Sequence, residues 1–75
     1  MTQKFLIDFT AYQLNNNKER SPRNNEMAIW SFTFDDGSDF MQFEKPIKYS
    51  IALNMAKSYA FHKGFNKIAV DAYLI

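Results

Sequence analysis

Tyr49, Ile51, Ala52, Met55, Ala56, Tyr59 and Ala60 recur at spacings of three and four, and theirs is the only stretch of this chain whose apolar residues follow the period of a helix. Every other apolar segment alternates with period two, as strands do. Lys4 to Leu14 sets Phe5, Ile7, Phe9 and Ala11 against Leu6, Asp8, Thr10, Tyr12 and Leu14. Ala28, Trp30, Phe32 and Phe34 alternate with Ile29, Ser31 and Thr33, and Phe40 to Glu44 turns Met41 and Phe43 inward. Lys67 to Ile75 sets Ile68, Val70, Ala72 and Leu74 against Ala69, Asp71, Tyr73 and Ile75.

Punctuation supports the division. Asp35 to Asp39 contains Asp36-Gly37, a pair suited to the positive φ of a hairpin turn, and predicts that the second and third strands are hairpin neighbours. Pro46 suits a first helical turn. Gly64 suits a left-handed helix end, with Phe65 supplying the apolar contact that accompanies it. The helix therefore spans Pro46 to Lys63. The expected fold is α+β with the order βββαβ: a three-stranded antiparallel meander, one helix packed on one face of the sheet, and a C-terminal strand parallel to the first. A spatial order of 3-2-1-4 places the last strand beside the first.

With 75 residues the chain makes one domain, and a core of that size supplies only about 3–5 kcal/mol of net stability. No cysteine and a single histidine, His62, leave no route through disulfides or a clustered metal site. Thirteen aromatic residues, eight of them Phe, must then build most of the core. No cofactor is expected.

One helix about 10 Å wide covers one side of four strands spaced about 4.8 Å apart. The other side is left for water or a partner, and the alternation assigns it Leu6, Tyr12, Leu14, Ile29, Phe40, Tyr73 and Ile75 among Asp8, Thr10, Ser31, Thr33, Gln42 and Asp71. Such a mixed apolar and polar surface suits contact with a protein or with a second copy of the chain. Asn15 to Asn25 forms the other notable region. It contains five asparagines and no apolar side chain apart from Pro22, with Lys18, Arg20 and Arg23 against Glu19 alone, and is expected to be a long mobile basic loop able to reach an acidic partner or phosphates. The loop and the acidic turn should lie at opposite ends of the sheet.

A net charge of +1 argues against both a strongly basic nucleic-acid binder and an acidic mimic of one. Met1 leads into a strand by Lys4 without a cationic and apolar leader, and no run approaches the roughly 18 apolar residues of a membrane span, so a cytoplasmic protein is expected. Catalytic parts are sparse. His62 stands in the last turn of the helix with no cysteine to activate, and Gly37 and Gly64 are too far apart to cradle a phosphate. Asp8 and Asp71 are the one carboxylate pair that the preferred strand order could bring together, as in a site for a divalent cation.

The stretch from Trp30-Ser31-Phe32 through Asp36-Gly37 to Phe43 and the following helix, about half the chain, resembles the three-stranded sheet plus helix of integrase arm-binding and similar DNA-binding domains. Those families read DNA with basic residues on the sheet. Here the corresponding positions hold Ile29, Ser31, Thr33, Phe40, Gln42 and Glu44, so no site residue is carried over. The reading favoured by the residues is a non-enzymatic interaction module. Phe, Tyr, Met, Ile, Asn and Lys, all with AT-rich codons, make up 36 of the 75 residues against 13 for Gly, Ala, Arg and Pro. That bias, with the small size, points to a phage or mobile-element accessory protein that binds and inhibits or modulates a host protein through Leu6, Tyr12, Ile29, Phe40, Tyr73 or the basic loop. The alternative is a small nucleic-acid-binding module using Lys18, Arg20 and Arg23 with Tyr12 and Phe40.

Overall fold

The computed structural model describes residues 4–74. In chain order it contains β1 (Leu6–Asp8), α1 (Thr10–Asn15), β2 (Met27–Phe34), one 3₁₀ turn (Asp35–Gly37), β3 (Asp39–Gln42), β4 (Ile47–Lys48), α2 (Tyr49–Lys63) and β5 (Lys67–Leu74). The domain is α+β, with one main helix and a mixed five-stranded sheet. The long strands β2 and β5 pair antiparallel over seven positions, from Ala28↔Leu74 to Phe34↔Ile68. β1 flanks β5 in parallel, and β3 flanks the far half of β2. The two-residue β4 continues the β3 edge beside Met27 and Ala28.

This corrects both the meander and the expected order. The first strand is not paired with the second; the last strand lies between them, giving β1-β5-β2-β3. Length is the physical reason. The two eight-residue strands take the inside, where both edges are paired, and strands of three and four residues take the edges, where few backbone groups are left open. The first strand is also far shorter than its alternation implies. The Asp8 carboxylate accepts the Thr10 N–H at 2.9 Å and the Thr10 hydroxyl at 2.7 Å. This Asx turn engages a donor that a ladder would need and opens α1. Tyr12, expected on the outward side of a strand, is instead fully buried, with its ring stacked 5.9 Å from that of Trp30.

One face of the sheet carries the core. Ala28, Trp30, Phe32 and Phe34 of β2 and Ile68, Val70 and Ala72 of β5 are all buried. Against them α2 lays Tyr49, Ala52, Ala56 and Ala60. Small helical residues let the helix approach while the sheet's rings fill the layer: Trp30 lies 4.9 Å from Tyr49, and Phe34 lies 5.3 Å from Tyr59. Ile51 and Met55, expected in the buried stripe, are half exposed, and Leu53 packs in their place.

The helix also begins later than Pro46. Ile47 and Lys48 extend beside β2, and the Ile47 carbonyl accepts the Trp30 indole N–H at 2.7 Å. Helical N–H groups near the start need acceptors. Tyr49 donates to the Glu26 carbonyl at 2.9 Å and Ser50 to the Asn24 carbonyl at 3.0 Å, so the segment before β2 caps α2. At the other end Gly64 adopts φ +78° and Phe65 N–H returns to the Ala60 carbonyl at 2.9 Å. The Phe65 ring stacks 5.5 Å from Phe34, completing the expected Schellman ending.

Candidate interaction surface

Among the described residues no element covers the side of the sheet opposite α2. The pairing registers set its side chains in rows. Asp8, Ala69, Thr33 and Phe40 form one row, Asp71, Ser31 and Gln42 a second, and Tyr73 and Ile29 a third. Phe40, Tyr73 and Leu6 are about two-thirds exposed, at 70%, 66% and 66%, and Ile29 is half-buried. The middle of the face, by contrast, holds Ala69, Thr33 and Ser31 with the Asp71 carboxylate beside them. The surface is thus a floor of small side chains with rings standing at Phe40 and Tyr73. Beside Tyr73 runs a shallow groove lined by Ile29, Gln42, Phe43 and Glu44.

Of the residues assigned to this face from the sequence, Leu6, Ile29, Phe40 and Tyr73 are there. Tyr12 is in the core, Leu14 is exposed on α1, and Ile75 lies outside the described residues. The sheet's edges offer little more. Phe40 N–H is taken by its neighbour's carboxylate, Asp39 Oδ1, at 2.8 Å, and beyond the end of β1 the Ala72 carbonyl is met by Asn16 Nδ2 at 3.1 Å.

The basic segment is tied to the body of the protein. Glu26 accepts the Tyr12 hydroxyl at 2.5 Å through Oε2 and Arg20 Nη1 at 2.8 Å through Oε1. Burial pushes the Glu26 carboxyl up, but the bonds from Tyr12, Arg20 and the Arg23 amide outweigh it and hold the group below its ordinary range. Burial and the adjacent Glu26 push the Tyr12 hydroxyl up. Pro22 is buried, Lys18 and Arg20 are half-buried, and Arg23 is exposed. The structure therefore does not present the three cations as one free patch, because Arg20 is held in an ion pair.

At the other end of β2 the acidic turn does more than reverse the chain. Asp35 and Asp36 adopt positive φ with Gly37, and Asp35 Oδ1 accepts the backbone N–H groups of Asn66 and Lys67 at 2.8 and 2.9 Å. Asp36 pairs with Lys67 at 2.7 Å, raising the Lys67 ammonium. Asp39 accepts the Tyr59 hydroxyl, which holds its carboxyl down. These carboxylates pin the start of β5 and the last turns of α2 to the hairpin. Their positions near Gly37 mark a turn in the sequence, but nothing local names Asn66, Lys67 or Tyr59 as partners.

The carboxylate pair is not assembled. Asp8 stands opposite Ala69, one pleat from Asp71. Its oxygen is engaged by Thr10, whose bonds hold the carboxyl low, while Asp71 accepts from Asn15 Nδ2 at 2.8 Å. Among the described residues no three His, Cys, Asp or Glu side chains gather where a metal could bind, and no helix is long and apolar enough to cross a membrane. His62 is exposed at the end of α2. No protein-family model, curated protein or solved structure matches the chain.

Proposed function

We propose that this chain is a non-enzymatic protein-binding module whose bare sheet face is the contact surface. The role is that of a small phage or mobile-element accessory protein acting on a larger protein of its host. The observation that carries the reading is the pair of two-thirds-exposed rings, Phe40 and Tyr73, standing on a face that no element among the described residues covers. Exposed aromatics around small residues are the composition of protein contact surfaces. Nucleic-acid binding is the weaker reading: Arg20 is neutralised by Glu26, and Tyr12 has no exposed ring to stack on a base.

A photo-cross-linking amino acid placed at 40 or 73, compared with one at 61 on the helix side, tests the proposal in cells. Adducts of a discrete protein from 40 and 73 but not from 61 are expected. Adducts only from 61, or none from any position, would remove the sheet face as the binding surface.

A further inference from the structure

Resting on that reading of the face, we infer that its partner is an extended segment of another protein, which joins the sheet as an antiparallel strand beside β3 with Gln42 at its centre. What little the edges leave open is set by the ladder. Phe43 N–H bonds the Trp30 carbonyl at 3.1 Å, in the same register as Phe32↔Met41 and Phe34↔Asp39. Bonded and non-bonded pairs alternate along an antiparallel ladder, so the backbone groups of Met41 face β2 while those of Phe40 and Gln42 face outward. Asp39 Oδ1 takes the Phe40 N–H. The Phe40 carbonyl and both backbone groups of Gln42 have no partner among the described residues, and an extended main chain is their natural complement. The opposite edge is better capped. Asp71 Oδ1 accepts the Ala72 N–H at 2.8 Å, Asn16 Nδ2 donates to the Ala72 carbonyl at 3.1 Å, and β1 ends after three residues.

Two hollows beside Gln42 set the side chains of the added strand. On the bare side the groove next to Tyr73 runs along Ile29, Gln42 and Glu44. At the edge a second hollow is lined by Phe43, Pro46 and Ile47, of which Phe43 and Ile47 pack against the core. In an antiparallel pentapeptide whose third residue faces Gln42, the fifth lies beside Phe40 and the first beside Glu44, all on the bare side; the second and fourth turn toward Phe43 and Met41. The matching strand is therefore basic at its first residue, small and polar at its third, aromatic or β-branched at its fifth, and apolar between. Main-chain bonds attach it, and the hollows select its side chains.

A blocked Lys-Val-Thr-Val-Tyr peptide, titrated into the isotopically labelled chain and followed by amide NMR, tests the inference. Shifts centred on Phe40 and Gln42 are expected, with a dissociation constant of about 1 mM or tighter. N-methylation of the third peptide residue, whose N–H meets the Gln42 carbonyl, should weaken binding about tenfold or more, whereas N-methylation of the fourth, whose N–H points away, leaves it within about threefold. Gln42→Pro removes an outward N–H and no ladder bond, a change that edge strands accept, and should also weaken binding about tenfold. No shift up to about 2 mM peptide, shifts confined to Ile51, Met55 and Phe61, or equal losses from the two methylated peptides would each overturn the added strand. If Gln42→Pro folds poorly, the methylated pair with the wild-type chain decides. In cells, adducts from 40 and 73 that persist undiminished in Gln42→Pro would retain the face as a docking surface and eliminate only the added strand.

Discussion

The two sides of β2 differ in burial at every step, though they alternate along the same eight residues. On one side Trp30, Phe32 and Phe34 are fully buried against the alanines of α2; on the other Ile29, Ser31 and Thr33 are half-buried, with no element among the described residues over them. The covered side mates large rings with small helical residues, so its free energy comes from close packing. The bare side reverses that distribution, keeping its centre low and its rings at the margins. One strand therefore serves two solvents, and substitutions on its two sides should differ accordingly.

The largest effect is expected from Trp30→Ala. It removes the ring packed between Tyr12 and Tyr49 and should cost about 3–5 kcal/mol, comparable to the whole stability of a domain this size; loss of a cooperative urea transition would check it. Next comes Tyr12→Phe, which keeps the packing but deprives Glu26 of a hydrogen bond. A loss of about 1.5–3 kcal/mol by urea denaturation is expected, because the acceptor is charged. The same carboxylate gives a pH test. Its folded value lies below the ordinary one of 4.5, so its contribution is complete above that pH and disappears as pH falls through the depressed value. Glu26→Gln should flatten that part of the acid limb in a pH series of thermal melts.

Gly64→Ala ranks third. With φ at +78° and nothing within 4 Å of an added Cβ, the penalty is conformational alone, about 1 kcal/mol, visible as a lowered melting temperature. Smallest is Thr33→Ser on the bare side, expected to shift stability by less than about 0.5 kcal/mol. A cost there approaching that of Trp30→Ala would mean that the bare side is part of a core, and the contrast between the two sides would collapse.

Alternation and periodicity made β2, the hairpin, α2 with its Gly64 ending, and β5 readable, because each is long enough for its apolar period to be unambiguous. They failed at residues 10 to 15, where Phe9 and Tyr12, three apart, fall on opposite faces of a strand but on one face of a helix. Asp8-Phe9-Thr10 was the local signal for a turn. Strand order is invisible to alternation, which reports faces and not neighbours. Leu6, Ile29, Phe40 and Tyr73 were legible as outward residues from parity alone. The ties of Arg20 to Glu26 and of Asp35 to Asn66 and Lys67 were not, because they join residues that only the tertiary fold brings together.

The position of β5 has a consequence for synthesis. The strand made after all the other described elements is the one that joins β1 to β2, so a ribosome-bound chain that has not yet exposed residues 67–74 has no sheet partner for residues 6–8 and only the hairpin side of β2 satisfied. Assembly must wait for those residues and then close over a long sequence separation, which makes folding late and all-or-none. Products of premature termination upstream of Lys67 would remain unfolded substrates for proteolysis instead of accumulating as competent fragments.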